Sequence, residues 1–442
     1  MASEDTDYPS RSRSIARPVT RRQFLRMAAA SGAAVGLTGV VPPPTRAQTP
    51  GRTLRLGYVS PQTGPLAGFG EADTFVLAGV RKAFTKGVRV GERMHPVEVL
   101  VRDSQSDPNR AAEVASRLIL SDKVDLMLVA STPETTNPVS DQCEVNGTPC
   151  VSTVAPWQPW FFGRNGKPET GFRWTYHFFW GLEDIIAVFV DMWNSLETNK
   201  VVGALWPNDG DGNAWSDPKR GFPPALAAAG YKVIDPGRYP NLTDDFSAQI
   251  SAFKAAKVEI VTGVPLPPDF TTFWKQAAQQ GFRPKIGSIG KALLFPRSVE
   301  ALGDIGDGLS TEVWWSPRHP FSSSLTGFSA ASLAADYTRE TKKQWTQPIG
   351  FVHALFEVAA EALKRTANID DKGALAAAIK GTNLNTIVGP ISWAKGPVPN
   401  VAKTPLVGGQ WGKGKQFPYD LTIVSNKRAP SIPTGGTLRV IA

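Results

Sequence analysis

The stretch Val97–Ser152, VEVLVRDSQSDPNRAAEVASRLILSDKVDLMLVASTPETTNPVSDQCEVNGTPCVS, decides the fold class of this chain. It contains apolar runs of strand length at Val97–Arg102, Leu126–Val129 and Cys150–Ser152, and helical segments at Asn109–Ser121 and Thr135–Val145. Short apolar strands that alternate with helices of about 10–15 residues predict a parallel sheet with helices on both faces.

The same alternation continues on both sides of this stretch. Further strands are predicted at Thr53–Val59, Val201–Leu205, Lys232–Ile234, Val258–Thr262, Ile286–Ser288, Ile387–Trp393 and Leu421–Val424. Further helices are predicted at Ala225–Ala229, Asp245–Ala256, Asp269–Gln280, His353–Arg365 and Gly373–Lys380. An aromatic block, residues 157–180, separates the first series from the second. Because 442 residues are too many for one ordinary core, the two series predict two doubly wound α/β lobes.

The N-terminal residues have the layout of an export signal. Thr20–Arg26 reads TRRQFLR, a twin-arginine pattern, and an apolar stretch of small residues follows from Met27 to Val41. Pro42–Ala47 then ends in a small residue at a cleavage point. The apolar stretch is too short to span a bilayer. We therefore expect a twin-arginine signal peptide at 1–47 and export of the protein to the periplasm.

Charge and hydropathy argue against nucleic-acid and membrane partners. The chain has 48 Lys and Arg against 39 Asp and Glu. Residues 1–47 hold seven of the basic and three of the acidic residues, which leaves 41 and 36 for the rest. The basic residues are scattered, unlike the clustered ones of nucleic-acid-binding proteins. After the signal, no apolar run in the sequence approaches membrane-spanning length, so we expect membrane contact only through a transporter.

The chain has two cysteines, Cys143 and Cys150. An even number of cysteines in an oxidising compartment favours a disulfide, which would stabilise the fold by about 2–3 kcal/mol. The alternative is a pair of inert thiols.

The sequence contains no pattern that indicates catalysis, a metal or a cofactor. Four histidines, His95, His177, His319 and His353, stand alone without the spacing of metal ligands. A nucleophile elbow and a phosphate-binding loop are both missing from the sequence. Asp209–Asn213 is similar to half of a calcium loop but lacks the closing Glu. We expect no catalytic residue, no metal and no cofactor.

Several segments, in order along the chain, carry a family resemblance. Gly57–Gly70, GYVSPQTGPLAGFG, resembles the first strand and loop of periplasmic solute-binding proteins of the branched-chain amino acid type. Asp103–Ala112, DSQSDPNRAA, resembles that family's turn into its second helix. Further similar segments are Ser131–Asp141, Val151–Thr153, Asp245–Ile250, Gln276–Ala277 and Val388–Ile391.

The resemblance implies the type 1 periplasmic binding protein fold, with two lobes joined by a hinge of three segments. The segments are expected near Tyr176–Gly181, Val313–Arg318 and Val388–Pro390. Lobe 1 would comprise 52–178 and 318–388, lobe 2 would comprise 179–317 and 389–426, and 427–442 would form a C-terminal tail. The implied role is hinge closure around a small solute, which is then delivered to an inner-membrane ABC permease. A ligand-binding sensor of the same fold is the alternative, and an exported enzyme is a further one.

The resemblance also implies which residues line the ligand cleft. They are Phe69, Ser131, Thr132, Glu134, Val154, Ala155, Trp157, Phe179, Trp180, Asp211, Leu266 and Lys291. Lys291 stands where amino-acid binders have an acid, which argues for a negative group on the ligand. We therefore expect an aromatic or apolar solute, a carboxylate or an amino-acid-like compound, rather than a simple α-amino acid.

Five of these residues have an expected role in binding. Trp157, Phe179 and Trp180 would form apolar walls, Phe69 would close over the ligand, and Lys291 would orient it. Alternatives remain open for three of the polar residues: Lys291 pointing to solvent, and Glu134 and Asp211 acting as helix caps.

Overall fold

Residues 50–441 are described by a computed structural model, and the predicted signal peptide at 1–47 lies outside them. The strands are β1 (Leu54–Ser60), β2 (Val88–Val90), β3 (Arg93–His95), β4 (Val97–Asp103), β5 (Leu126–Ala130), β6 (Cys150–Thr153), β7 (Thr175–Phe178), β8 (Val201–Leu205), β9 (Lys232–Ile234), β10 (Ile260–Gly263), β11 (Ile286–Ile289), β12 (Ser310–Val313), β13 (Asn383–Thr386), β14 (Gly389–Ser392), β15 (Val401–Ala402), β16 (Val407–Lys413) and β17 (Tyr419–Ser425).

The α-helices of these residues are α1 (Asp73–Ala83), α2 (Pro108–Leu120), α3 (Pro133–Val145), α4 (Trp157–Phe161), α5 (Leu182–Trp193), α6 (Gly210–Trp215), α7 (Phe222–Ala228), α8 (Ser247–Ala255), α9 (Pro267–Gln279), α10 (Pro296–Glu300), α11 (Ala330–Thr341), α12 (Pro348–Arg365) and α13 (Lys372–Lys380). The helix α2 shows why such segments begin where they do. Asp107 accepts a hydrogen bond from the backbone N–H of Arg110, and Pro108 fits the first turn because it needs no partner for an N–H.

Within residues 50–441, two large sheets organise the chain. The first has the order β15-β7-β6-β5-β1-β4, and all of its strand pairs are parallel. The second has the order β17-β16-β12-β11-β10-β8-β9, in which β16 pairs antiparallel with both β17 and β12 and the other pairs are parallel. The expectation of two parallel-sheet α/β lobes is therefore confirmed.

The chain passes three times between the two sheets. It leaves the first sheet after Phe178, returns after Val313, and leaves again between Ala402 and Val407. The third passage lies later than the expected segment at Val388–Pro390. The reason is the short strand β15, whose backbone pairs with β7 and so keeps the chain on the first sheet.

Residues near the predicted third crossing form a separate hairpin. β13 pairs only with β14, although the sequence predicted a single strand at Ile387–Trp393. The buried carboxylate of Glu357 on α12 anchors this hairpin, because it accepts the backbone N–H of Ile387 at 3.0 Å and that of Ser324 at 2.5 Å. The hairpin is therefore fixed to the side of the first lobe.

The disulfide prediction is wrong for this structure, in which Cys143 and Cys150 are free thiols. Both are fully buried in an apolar cluster with residues of β5 and α2. In such surroundings a cysteine packs as a small hydrophobic side chain. Burial also raises the pKa of the Cys143 thiol, which favours the uncharged form.

Among residues 50–441, no helix combines the length and apolar character needed to cross a membrane. The longest of their helices, α12, is buried along most of its length and packs against β6, β5 and α1. Its apolar surface therefore belongs to the core of the first lobe.

Candidate functional site

The carboxyl ends of strands from both sheets meet at one narrow cavity. The volume of this cavity is about 20 Å³, enough for about one water molecule and below the range for ligand sites. Its lining comes from the segments after β1, β5, β6 and β7 of the first sheet, from those after β8, β10 and β11 of the second, and from the end of β12 and the residue after it. The lining residues are Phe69, Thr132, Val154, Pro156, Phe179, Trp180, Asp211, Trp215, Val264, Lys291, Leu294, Glu312 and Trp314. This is the place where open α/β sheets bind ligands.

Seven of the predicted cleft residues line this cavity together. They are Phe69, Thr132, Val154, Phe179, Trp180, Asp211 and Lys291. They come from both lobes and from the first passage between them, and all are buried. Their role in ligand binding stays a prediction, but their meeting at one point agrees with it.

The other five predicted residues are placed elsewhere. The hydroxyl of Ser131 accepts a hydrogen bond from Thr135, and the carbonyl of Ala155 is bonded to His177. Trp157 donates its indole N–H to Glu183, and Leu266 is buried at the start of α9. These four serve the local structure around the cavity.

Glu134, the fifth, connects the two lobes beside the cavity. Its Oε1 atom on α3 accepts the backbone N–H of Gly210 on α6 at 3.0 Å. The alternative that Glu134 and Asp211 cap helices is met in part, because Glu134 bonds the first turn of α6, a different helix from its own.

Six lining residues were not predicted: Pro156, Trp215, Val264, Leu294, Glu312 and Trp314. Val264 directly follows β10 and Trp314 directly follows β12. The rule that ligands bind at the carboxyl ends of strands could therefore have identified both residues. Glu312 lies on β12, a strand that was not predicted from the sequence. Trp215 ends a short helix, and nothing in the sequence indicated its direction.

The walls of the cavity are aromatic. Phe179 stands between Trp180 and Trp314, with ring centroids 4.8 and 5.2 Å apart. Phe69 of the first lobe meets Phe295 of the second edge to face at 4.9 Å. Rings in this arrangement bury large apolar surfaces and fix one another's positions.

Lys291 is the charged centre of the site, and it does not point to solvent. Its side chain is 3% exposed, and its Nζ atom lies 2.8 Å from Asp211 Oδ2 and 3.1 Å from Asp209 Oδ2. Asp209 is held in turn, because it accepts the N–H of Gly212 at 2.7 Å and that of the Asn241 side chain at 3.2 Å. The protein's own carboxylates therefore already neutralise the charge of Lys291. The geometry gives little support to the prediction that Lys291 binds a negative group of the ligand.

Backbone strain is concentrated at the same place. Val154 has a φ of +79° and Lys291 a φ of +56°, a region that side chains with a Cβ rarely adopt. One residue follows β6 of the first sheet, and the other follows β11 of the second. Strained residues persist where the surrounding structure imposes them, and they cluster at ligand sites.

Several polar atoms of the lining have no hydrogen-bond partner among residues 50–441. They are the indole N–H groups of Trp180, Trp215 and Trp314, the hydroxyl of Thr132 and the Oδ1 atom of Asp211. Unpaired buried polar atoms are costly and call for an explanation. A ligand that brings both donors and acceptors would satisfy them.

Burial also changes the titration of two carboxyl groups in the lining. It raises the pKa of Asp211 to about 7, although Lys291 acts in the opposite direction. It likewise raises the pKa of Glu312 to about 7. Glu312 accepts the hydroxyl of Thr311 at 2.9 Å and the backbone N–H of Lys291 at 3.4 Å. A metal does not explain these acids, since the described residues contain no group of three side chains able to hold one.

Known structures share this architecture. A leucine-binding protein of Thermotoga maritima covers 85% of this chain and 99% of its own, with a TM-score of 0.69 and 20% identity. A branched-chain amino acid transporter substrate-binding protein of Streptococcus pneumoniae, in complex with isoleucine, covers 84% and 99%, with a TM-score of 0.65 and 15% identity. A solute-binding protein of an ABC transporter from Rhodopseudomonas palustris, in complex with 3,4-dihydroxybenzoic acid, covers 86% and 99%, with a TM-score of 0.67 and 19% identity. At these identities the likeness shows the fold alone.

No curated protein matches the chain significantly. The family model described as periplasmic binding protein, however, matches residues 53–415, which include every residue of the cavity lining. The chain therefore belongs to the periplasmic binding protein family.

Proposed function

We propose that this protein captures a small organic solute between its lobes in the periplasm and delivers it to an inner-membrane ABC permease. The solute has an aromatic or apolar body, and it leaves the protein chemically unchanged. The observation that carries the proposal is the aromatic cavity at the facing strand ends, lined by both lobes.

Contacts across the mouth of the cavity support closure by a hinge. Besides the ring pair of Phe69 and Phe295, Glu71 of the first lobe lies 3.4 Å from Arg297 of the second. On another side, the guanidinium of Arg220 lies 4.3 Å from the ring of Phe162. Ion pairs and cation–π contacts at exposed sites contribute little, about 0–1 kcal/mol each. A few such contacts hold the lobes together weakly enough for them to open and release a solute.

Apolar burial gives the solute much of its binding free energy. A micromolar dissociation constant corresponds to roughly 8 kcal/mol. Burial contributes about 25 cal/mol per Å², so an aromatic ring enclosed on all sides gains a large part of this amount before the costs of binding.

The direct test is calorimetric titration of the mature protein with a panel of small solutes. The panel comprises branched-chain and aromatic amino acids, aromatic acids, aromatic amines and neutral aromatic alcohols. Binding by one class, with a smaller radius of gyration in X-ray scattering when that compound is added, supports the proposal. If every compound leaves the protein unchanged, or if one is converted to a product, the proposal fails.

Replacing Phe69 with alanine should weaken the tightest panel compound by about 10-fold or more, because the variant loses both a wall and its contact with Phe295. Phe328→Ala is the matched control, since this phenylalanine is 43% exposed and lies outside the lining. Equal affinities of the two variants would remove Phe69 from the site.

A further inference from the structure

Carboxyl groups outnumber ammonium groups around the cavity. Lys291 is in contact with Asp209 and Asp211, and Glu134 is close enough to add to the same electrostatic field. Glu312, at the backbone N–H of Lys291, is a fourth carboxyl group. The charge of the single lysine therefore cannot balance the acids that surround it.

Two of these carboxyl groups line the cavity itself. Asp211 and Glu312 both line the cavity and are 3% and 2% exposed. Asp211 uses Oδ2 for Lys291, while its Oδ1 atom has no hydrogen-bond partner within residues 50–441. A buried carboxylate oxygen without a donor is costly, and a charged N–H donor is the partner that relieves it best.

We infer that the ligand of this cavity carries a protonated amine on an aromatic or apolar body, and that Asp211 and Glu312 bind the amine. The inference rests on the proposed function and replaces the negative group that the sequence suggested for the ligand. The fold alone does not determine the charge of the solute, whereas the carboxyl groups of this cavity favour a positive one.

The aromatic walls fit the same ligand. Trp180, Trp314 and Phe179 lie on one side of the cavity, and Trp215 and Phe69 complete it. The face of an aromatic ring attracts a cation, most strongly for tryptophan and more strongly when water is excluded. An ammonium group therefore gains from the rings as well as from the acids.

A carboxylate ligand meets the opposite situation. It would enter a low-dielectric space that already contains Asp211 and Glu312, where like charges repel strongly. The unpaired indole N–H groups do not favour a carboxylate over a neutral group, because a hydroxyl or carbonyl oxygen satisfies them equally well.

Binding of a cation should also displace protons. Asp211 and Glu312 face Asp209, Glu134 and Lys291, and burial places the pKa of both near 7. Tyr239 and Asp269 are close enough to Asp209 and Lys291 to interact with them electrostatically. A bound ammonium stabilises the ionised carboxylates and lowers their pKa. Near pH 6.5 binding should thus release protons, and affinity should rise from pH 6 to pH 8.

The test uses three probes with the same ring: benzylamine, benzyl alcohol and benzoate. Titration calorimetry of the mature protein should give benzylamine an affinity about 10-fold or more above the other two. The heat of benzylamine binding should depend on the ionisation enthalpy of the buffer, which reports the released protons. Benzoate binding as tightly as benzylamine would overturn the inference and leave the proposed function standing. If the three probes and the wider panel all fail to bind, the proposed function falls and the inference falls with it.

Two variants locate the amine site. Glu312→Gln should lower benzylamine affinity about 10-fold, reduce the proton release, and leave benzyl alcohol unaffected. Asp211→Asn should act in the same direction while Asp209 still pairs with Lys291, so at least one variant is expected to fold. Glu340→Gln on the exposed face of α11 is the control. An unchanged ratio of benzylamine to benzyl alcohol affinity in a folded Glu312→Gln protein contradicts the role of Glu312.

Discussion

Replacing Lys291 with methionine should lower the free energy of unfolding by about 3–5 kcal/mol, because it leaves two buried carboxylates without their cation. Asp209 and Asp211 are 9% and 3% exposed and share the Nζ atom of Lys291. Chemical denaturation at pH 8 measures the loss. From the sequence alone, this lysine looked like a residue that orients the ligand.

Lys285→Met is the matched control for this prediction. Lys285 is 45% exposed and lies 3.1 Å from Glu259, and such surface pairs contribute only about 0–1 kcal/mol. The double variant Asp211→Asn with Lys291→Met should be more stable than Lys291→Met alone, since one of the two stranded charges is gone. A loss below about 1 kcal/mol in Lys291→Met would contradict a structural role for the ion pairs.

The stability of the ligand-free protein should fall as pH rises, most steeply between about pH 5.5 and 7. The cause is a set of buried carboxyl groups whose pKa burial raises: Asp73, Asp211, Glu312 and Glu357 to about 7, and Asp269 to about 6. The folded protein keeps these protons at a pH where the unfolded chain has released them. The stabilisation they bring is present in acid and is lost as pH rises through the folded pKa values.

Three buried histidines act in the opposite direction. Burial lowers the pKa of His177 and His319 to about 3 and that of His353 to about 4. Below about pH 6.5 the unfolded chain protonates them and the folded chain does not, so their contribution is lost as pH falls. The histidines offset part of the effect of the carboxyl groups below about pH 6.5 and little of it above. The carboxyl groups stop contributing once pH exceeds their folded pKa near 7, so stability falls most steeply between about pH 5.5 and 7.

Calorimetric melting of the mature protein from pH 5.5 to 8.5 checks this prediction. Each additional proton that the folded state binds relative to the unfolded state lowers the free energy of unfolding by about 1.4 kcal/mol per pH unit. The melting temperature should therefore fall by several degrees. Glu312→Gln removes one of the titrating groups and should flatten the curve, whereas Glu340→Gln should not. A melting temperature that rises from pH 6 to pH 8 would contradict the assignment.

Much of the fold follows from local patterns that the sequence displays. The apolar runs at Leu126–Val129 and Val201–Leu205 are strands, and Asp107 begins a helix where its sequence context predicts one. Strands without such a pattern were missed: β16 contains two adjacent glycines, Gly408 and Gly409, and β15 has two residues. Pairing with neighbours, rather than propensity, makes these segments strands.

The family resemblance, rather than any local pattern, suggested the cleft residues. Phe69, Val154 and Lys291 all follow strands and do line one cavity, which agrees with the rule that ligands lie at the carboxyl ends of parallel strands, and their role in binding stays a prediction. The chemistry of the site was not predictable. Lys291 meets Asp209 across 82 positions of sequence, and no local pattern reports such a contact.

The sequence by itself determined the two parallel-sheet lobes, because periodicity and strand order are local properties that add up along the chain. Only the tertiary structure decided the charge of the cavity. Burial and distance control whether a carboxylate is ionised and whether a lysine is available to a ligand, and both quantities exist only once distant segments have packed together.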